Sequence, residues 1–260
     1  MRHLRLPVLF VALLFAPRPA PAADADYQPR FDADGYEILF DGKDLNAWQM
    51  DTQKGIWGID DHGLMAVLKS GPSIFTKRRY CDYELQCDWK LQPKSKGNSG
   101  VFIRVHRAYA EVNTGMECQI LDNGEYNATW DAMNGNGALY DLVHPRIDVN
   151  KPAGEWNHYK ITCRDSLIVI ELNGQEVVRA DLDLWTTAHK NPDGKHNKFP
   201  HAIGELPREG FIGLQNYGGA PVWFREVKLK ALSDRQPKWT GNEPIEQVLT
   251  PVPVTPPATG

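Results

Sequence analysis

Apolar and polar side chains alternate with a period of two along most of this 260-residue chain, in short runs broken by turn residues. No stretch keeps a helical period over three turns. Tyr83 to Leu91 is the longest alternating run. Glu37 to Phe40 leads into Asp41-Gly42, while Ile56 to Ile59 and Leu64 to Leu68 flank Asp60-Asp61-His62-Gly63. Tyr159 to Arg164 and Leu167 to Leu172 are joined by Asp165-Ser166, and Asn173-Gly174 turns the second run into Gln175 to Arg179, so two consecutive hairpins are expected. Phe211 to Gln215 and Val222 to Leu229 read as a further pair across Gly218-Gly219. The pattern predicts an all-β sandwich or barrel, one domain over residues 23–235 whose last strand ends near Leu232.

The two ends depart from this pattern. Met1 to Arg5 is basic, Leu6 to Phe15 is apolar, and Ala20-Pro21-Ala22 offers small residues for cleavage, which together read as a signal peptide over 1–22. An apolar run of that length is too short to span a bilayer, which takes ~20 residues. The mature chain is therefore expected in the periplasm or outside the cell. Over 236–260 the prolines 237, 244, 251, 253, 256 and 257 mark an extended tail.

Composition adds little to the fold and more to the choice of partner. The chain is 42% hydrophobic and 24% charged, as ordinary globular proteins are. Loss of the leader removes Arg2, Arg5 and Arg18, leaving 26 basic side chains against 33 acidic ones, a net charge of −7. Nucleic acid is excluded as a partner on that balance, and Lys77-Arg78-Arg79 is too short a cluster to alter it. Cys81, Cys87, Cys118 and Cys163 lack metal-ligand spacing; an oxidising compartment permits up to two disulfides, and buried thiols are the alternative.

The candidate chemistry sits on two strands. Alternation from Asn98-Ser99-Gly100 onward puts Val101, Ile103 and Val105 on one face and Phe102, Arg104 and His106 on the other. In the run from Gly115 to Asn123, Met116, Cys118 and Ile120 share one face, Glu117 and Gln119 the other. Side by side, the strands would gather Arg104, His106, Glu117 and Gln119 into one patch. Such a patch can hold a general base, a substrate clamp, a hard-cation site with Glu117 as ligand, or a structural ion pair across a sheet face. Trp130, Trp156, Trp185, Trp223 and Tyr140 offer rings suited to the apolar faces of sugars, although Trp223 and Trp89 sit within strand patterns where packing explains them. The segment from Thr186 to Pro207 exceeds what a sandwich connection needs and is expected to be a lid or a rim. No phosphate-cradling loop, Gly-x-Ser-x-Gly elbow or His-Glu-x-x-His helix occurs. Glu117 and Asp122 are five residues apart and face opposite sides, so the paired strand carboxylates of ordinary retaining glycosidases are missing too.

One set of motifs resembles a known family. Gly35-Tyr36-Glu37-Ile38-Leu39-Phe40-Asp41-Gly42 through Trp48, Asn98-Ser99-Gly100, Glu117-Cys118-Gln119-Ile120-Leu121-Asp122, Gly137-Ala138-Leu139-Tyr140, Glu155-Trp156-Asn157, Leu172-Asn173-Gly174 and Gly213-Leu214-Gln215 are similar, in that order, to the 3-keto-disaccharide hydrolase family. The resemblance runs from about Gly35 to Leu232. It implies a concanavalin-like jelly-roll sandwich of two antiparallel sheets and action on glycosides oxidised at C3. A C3 ketone acidifies the C2 hydrogen, so a single base can form an enolate that expels the C1 substituent, and water can then complete a net hydrolysis. On this resemblance Glu117, His106 and Arg104 are the candidate catalytic residues. Asn98, Ser99, Gln119, Asp122, Trp130, Tyr140 and Gln215 are candidate substrate contacts, and a divalent cation could share the enolate's charge. Asn216-Tyr217 stands where Asp-His is common in the family, so the resemblance carries no chemistry onto that pair. The expected ligand is a sugar or glycoside; a lectin-like module on the same fold is the alternative.

Overall fold

The computed structural model describes residues 27–49, 56–107, 110–218 and 220–238. The leader expected over 1–22 and nearly all of the tail expected over 236–260 lie outside the described residues. Thirteen strands are described: β1 (Glu37–Phe40), β2 (Trp48–Gln49), β3 (Trp57–Ile59), β4 (Met65–Val67), β5 (Ile74–Thr76), β6 (Tyr83–Leu91), β7 (Asn98–Val105), β8 (Met116–Leu121), β9 (Asn157–Arg164), β10 (Leu167–Leu172), β11 (Gln175–Asp181), β12 (Phe211–Leu214) and β13 (Val222–Ala231). The only α-helix among the described residues, α1 (Glu111–Thr114), is a single turn.

All pairings are antiparallel and form two sheets. The larger runs β11-β10-β9-β6-β13-β4-β3, with β1 also on β13; the smaller runs β2-β5-β12-β7-β8. The sandwich expected from the strand and turn pattern is therefore present, as are the β3-β4 hairpin and the two hairpins from β9 to β11. One expected hairpin is not: β12 and β13 belong to different sheets, so the segment around Gly218 crosses the sandwich instead of closing a ladder. Only the partner strands decide this, since a glycine-rich connection serves either purpose.

Alternation explains how the layers join. In β6, Tyr83, Leu85, Cys87, Trp89 and Leu91 are buried while the residues between them are half-exposed. They meet Val101, Ile103, Met116, Cys118 and Ile120 of the smaller sheet in one continuous core, each large apolar side chain contributing about 1.5–3 kcal/mol. The four cysteines are buried and unbonded. No helix among the described residues is long and apolar enough to cross a membrane.

The smaller sheet carries one irregularity that governs the site. Phe211 pairs with Val105 and Gly213 with Phe102, so three steps of β7 oppose two of β12. The extra residue is Arg104, at φ +52°, a bulge that interrupts the side-chain alternation. Beyond it, Val105 packs with Phe75, Phe102 and Phe211 on the outer face of the sheet. Gly210 makes the close approach possible: a Cβ there would stand 2.4 Å from the Arg104 carbonyl carbon.

Candidate active site

Residues directly opposite on adjacent strands share a face. Phe75, Gly213, Phe102 and Glu117 thus form one row across β5, β12, β7 and β8, followed by Gly100 opposite Gln119 and Asn98 opposite Leu121. Above this face lies a cleft of about 370 Å³ with Glu117 and Gln119 on its floor and Asn98, Gln215, Tyr140 and Lys198 among its walls. Val112 of α1 and the exposed rings of Tyr126 and Tyr217 form its rim.

Glu117 is 4% exposed. Burial pushes its carboxyl up to about 7; the positive charge of Lys198 and a hydrogen bond from Gln215 act in the opposite direction, and the charge of Glu111 adds slightly to the rise. With its amide nitrogen facing its acceptors, Gln119 donates to Glu117 Oε1 (2.9 Å) and to the Ser99 carbonyl (3.3 Å). Gln215 is held through both of its main-chain polar groups: its N–H donates to the Gly100 carbonyl (2.9 Å), and its carbonyl accepts from Ser99 Oγ (2.8 Å). Two buried amide oxygens of the cleft, Asn98 Oδ1 and Gln215 Oε1, accept no hydrogen bond among the described residues. They suit the hydroxyl donors of a sugar.

Lys198 comes from the segment 186–207, which the structure makes a fixed rim. Asn191 anchors it, its Oδ1 accepting from Trp185 Nε1 (2.7 Å) and Asn197 Nδ2 (2.9 Å), its Nδ2 donating to the Asp141 carbonyl (3.1 Å). The Lys198 N–H donates to Asp141 Oδ2 (2.6 Å), and its ammonium stands 4.4 Å from the centre of the Tyr140 ring. Burial lowers its pKa against the pull of Glu117 and Asp141. Tyr140 is fixed through its N–H, which donates to the Glu117 carbonyl (2.9 Å).

Of the residues expected to form the site, Asn98, Glu117, Gln119, Tyr140 and Gln215 come together. Arg104 and His106 do not join them, because the bulge interrupts the alternation that would have put all four polar side chains in one patch. Arg104 turns to the interior, 1% exposed, where its charge acts on Tyr83 and Cys163 of the larger sheet. His106 is buried beside the charges of Arg104 and Arg79, and burial together with those charges lowers its pKa to about 4. Ser99 lies beneath the cleft, its hydroxyl engaged by Gln215. Asp122 lines a separate groove of about 490 Å³, with Asn123, Asn136, Asp148 and Asn150, that shares only Leu121 with the cleft. Trp130 is exposed and lines neither. Sequence reasoning missed Lys198, Tyr126 and Tyr217. For Tyr217 a signal existed, since it lies two residues after Gln215; Asn216 between them points away, donating to the Lys69 carbonyl (2.9 Å). Among the described residues no three His, Cys, Asp or Glu side chains converge to hold a metal ion.

The comparisons agree with this architecture. Residues 35–230 match the family described as the 3-keto-alpha-glucoside-1,2-lyase-like domain. A 3-keto-disaccharide hydrolase of Bacteroides thetaiotaomicron is 30% identical over 246 residues, covering 81% of this chain and 83% of its own. A crystal structure described as a candidate glycosyl hydrolase from Parabacteroides distasonis superposes with a TM-score of 0.67 at 33% identity, over 76% of this chain and 99% of that one. A second from the same organism gives 0.64 at 26%, over 77% and 95%. The chain belongs to the 3-keto-alpha-glucoside-1,2-lyase-like domain family.

Proposed function

We propose that this protein is an exported enzyme that cleaves 3-keto-glycosides by proton abstraction at C2, with Glu117 as the base and Lys198 as the partner of the enolate oxygen. The observation that carries this is a lone buried carboxyl, pushed up to about 7, facing an ammonium across a sugar-sized cleft. Near neutral pH such a group is ionised often enough to accept a proton and basic enough to take one from carbon acidified by a ketone. Hydrolysis of an ordinary glycoside would need a second carboxyl, and Glu117 is the only Asp or Glu lining the cleft among the described residues.

In the first step the C2–H bond breaks, the proton passes to Glu117, and the electron pair moves onto the C3 oxygen beside Lys198. In the second, the enolate reforms the ketone, a C1–C2 double bond appears, and the C1–O bond breaks. The leaving oxygen is protonated, with protonated Glu117 as the near source. Water addition across the double bond completes net hydrolysis; release before that step is lyase action. Asn98 Oδ1 and Gln215 Oε1 accept from the remaining ring hydroxyls, and Tyr126 and Tyr217 face the ring edges. The leader read over 1–22 supports export.

The test is purified protein with a 3-keto-glucoside and with the matching unmodified glucoside, each bearing the same chromogenic leaving group, with and without a chelator. Release from the keto substrate only, insensitive to the chelator, supports the proposal. Equal rates on both overturn it in favour of another hydrolase, and tight binding of both without turnover favours a lectin.

A further inference from the structure

We propose that the sandwich binds a small inorganic anion of chloride size beside the β7 bulge, held by Arg104 with Arg208 and His106. The Arg104 guanidinium is buried, and Nε, Nη1 and Nη2 all lack an acceptor among the described residues. Arg208 stands two residues before Gly210, the glycine packed on the Arg104 backbone. Its Nη2 donates to the Gly204 carbonyl (3.0 Å) and to Asp183, while Nη1 is buried without an acceptor among the described residues. His106 lies two residues beyond Arg104, 6% exposed, with neither ring nitrogen hydrogen-bonded among the described residues.

Of the nearby carboxylates, Asp183 and Asp165 pair with Arg208, Asp165 at 3.9 Å from Nε, and none of them reaches Arg104; others are committed elsewhere. Asp82 accepts from the Asp165 N–H (2.8 Å), Ser233 Oγ (2.9 Å) and Arg235 Nη2 (2.8 Å), and Glu209 pairs with Arg79 (2.6 Å). A guanidinium cannot discard its proton, so burial without an acceptor leaves both the charge and the donors of Arg104 uncompensated, whereas Arg208 lacks a partner only at Nη1. Water would accept hydrogen bonds but bring no charge. A halide does both, and its spherical shape accepts N–H groups from three directions. The polarity of the cluster excludes a cation, and its burial excludes a large organic acid. Arg104 and Arg208 flank the β7–β12 pairing, so an occupied site would tie the bulge to the strand leading to Gln215.

Thermal unfolding of the full chain in sodium chloride and in sodium gluconate at equal ionic strength tests this. The melting temperature should climb with the logarithm of chloride concentration and stay level in gluconate. Crystals soaked in bromide should show an anomalous peak within hydrogen-bonding distance of Arg104 and Arg208 Nη1. Arg104→Met should abolish the chloride response; if that variant does not fold, Arg208→Met should reduce it. Equal melting of the wild type in both salts, only water beside Arg104 in bromide crystals, or an undiminished chloride response in both variants would overturn the proposal.

Discussion

The carboxylate of Glu117 lies over Gly100 of the neighbouring strand, so closely that a Cβ at Gly100 would stand 2.4 Å from Glu117 Oε1 and 2.7 Å from its Cγ. Glycine is required here for space, since the position carries no left-handed backbone. Gly100→Ala is expected to displace the carboxylate from its amide donors, lowering kcat more than it lowers stability, which overpacking reduces by about 1–3 kcal/mol. Steady-state kinetics beside a denaturant melt would check this; an unchanged kcat would show that the carboxylate's position is unimportant.

Glu117→Gln keeps the shape of the floor and removes the proton acceptor. Turnover of a 3-keto-glucoside should fall by about 10²- to 10⁴-fold while calorimetric binding of a non-reactive analogue changes little. The variant should also be more stable than the wild type under alkaline conditions. The folded-state pKa of Glu117 is raised from 4.5 to about 7, so the native state holds the proton more tightly than the unfolded one. Its contribution is intact below the unfolded pKa and lost as pH rises through about 7, on the order of 3 kcal/mol. A melt at about pH 8 in which both proteins unfold together would contradict the buried, raised carboxyl.

The two groups facing each other across the cleft set the pH profile. Ionisation of Glu117 should give kcat/KM an acid limb near 7, and loss of the Lys198 proton an alkaline limb below the usual lysine range. Lys198→Met should remove the alkaline limb and lower kcat by about 10²- to 10³-fold, the scale of losing one oxyanion donor. Lys198→Arg should restore part of the rate without that limb. A Lys198→Met profile that keeps both limbs would assign the alkaline group elsewhere.

Ser99 acts through Gln215. Ser99→Ala removes the donor to the buried Gln215 carbonyl and should cost about 1–3 kcal/mol in stability. By loosening the amide proposed to contact substrate, it should raise KM more than it lowers kcat. Kinetics with an unchanged KM would make the hydroxyl a purely structural group.

The outline of the fold was legible because alternation is a local property. In β6 and β8 each side chain's face follows from its neighbours, so the core set of Tyr83, Leu85 and Cys87 and the outward pair Glu117 and Gln119 were readable. The short strands β2 and β5 were not, since no hairpin turn joins either to a neighbour in the way Asp60-Asp61-His62-Gly63 reveals the equally short β3 and β4. Nor was the separation of β12 from β13, which depends on distant partner strands.

The all-β sandwich, the family and, of the expected four-residue patch, the shared face of Glu117 and Gln119 follow from the sequence alone. The tertiary structure decided which residues share that cleft. Alternation fails at Arg104 because the approach of Gly210 and β12 sets a bulge there, and an arginine at φ +52° announces itself by no local signal. Lys198 arrives from a loop more than eighty residues beyond Glu117 in the chain. Burial raises the carboxyl and lowers the amine only once strand, loop and Tyr140 enclose them together, because desolvation is a property of the assembled surroundings.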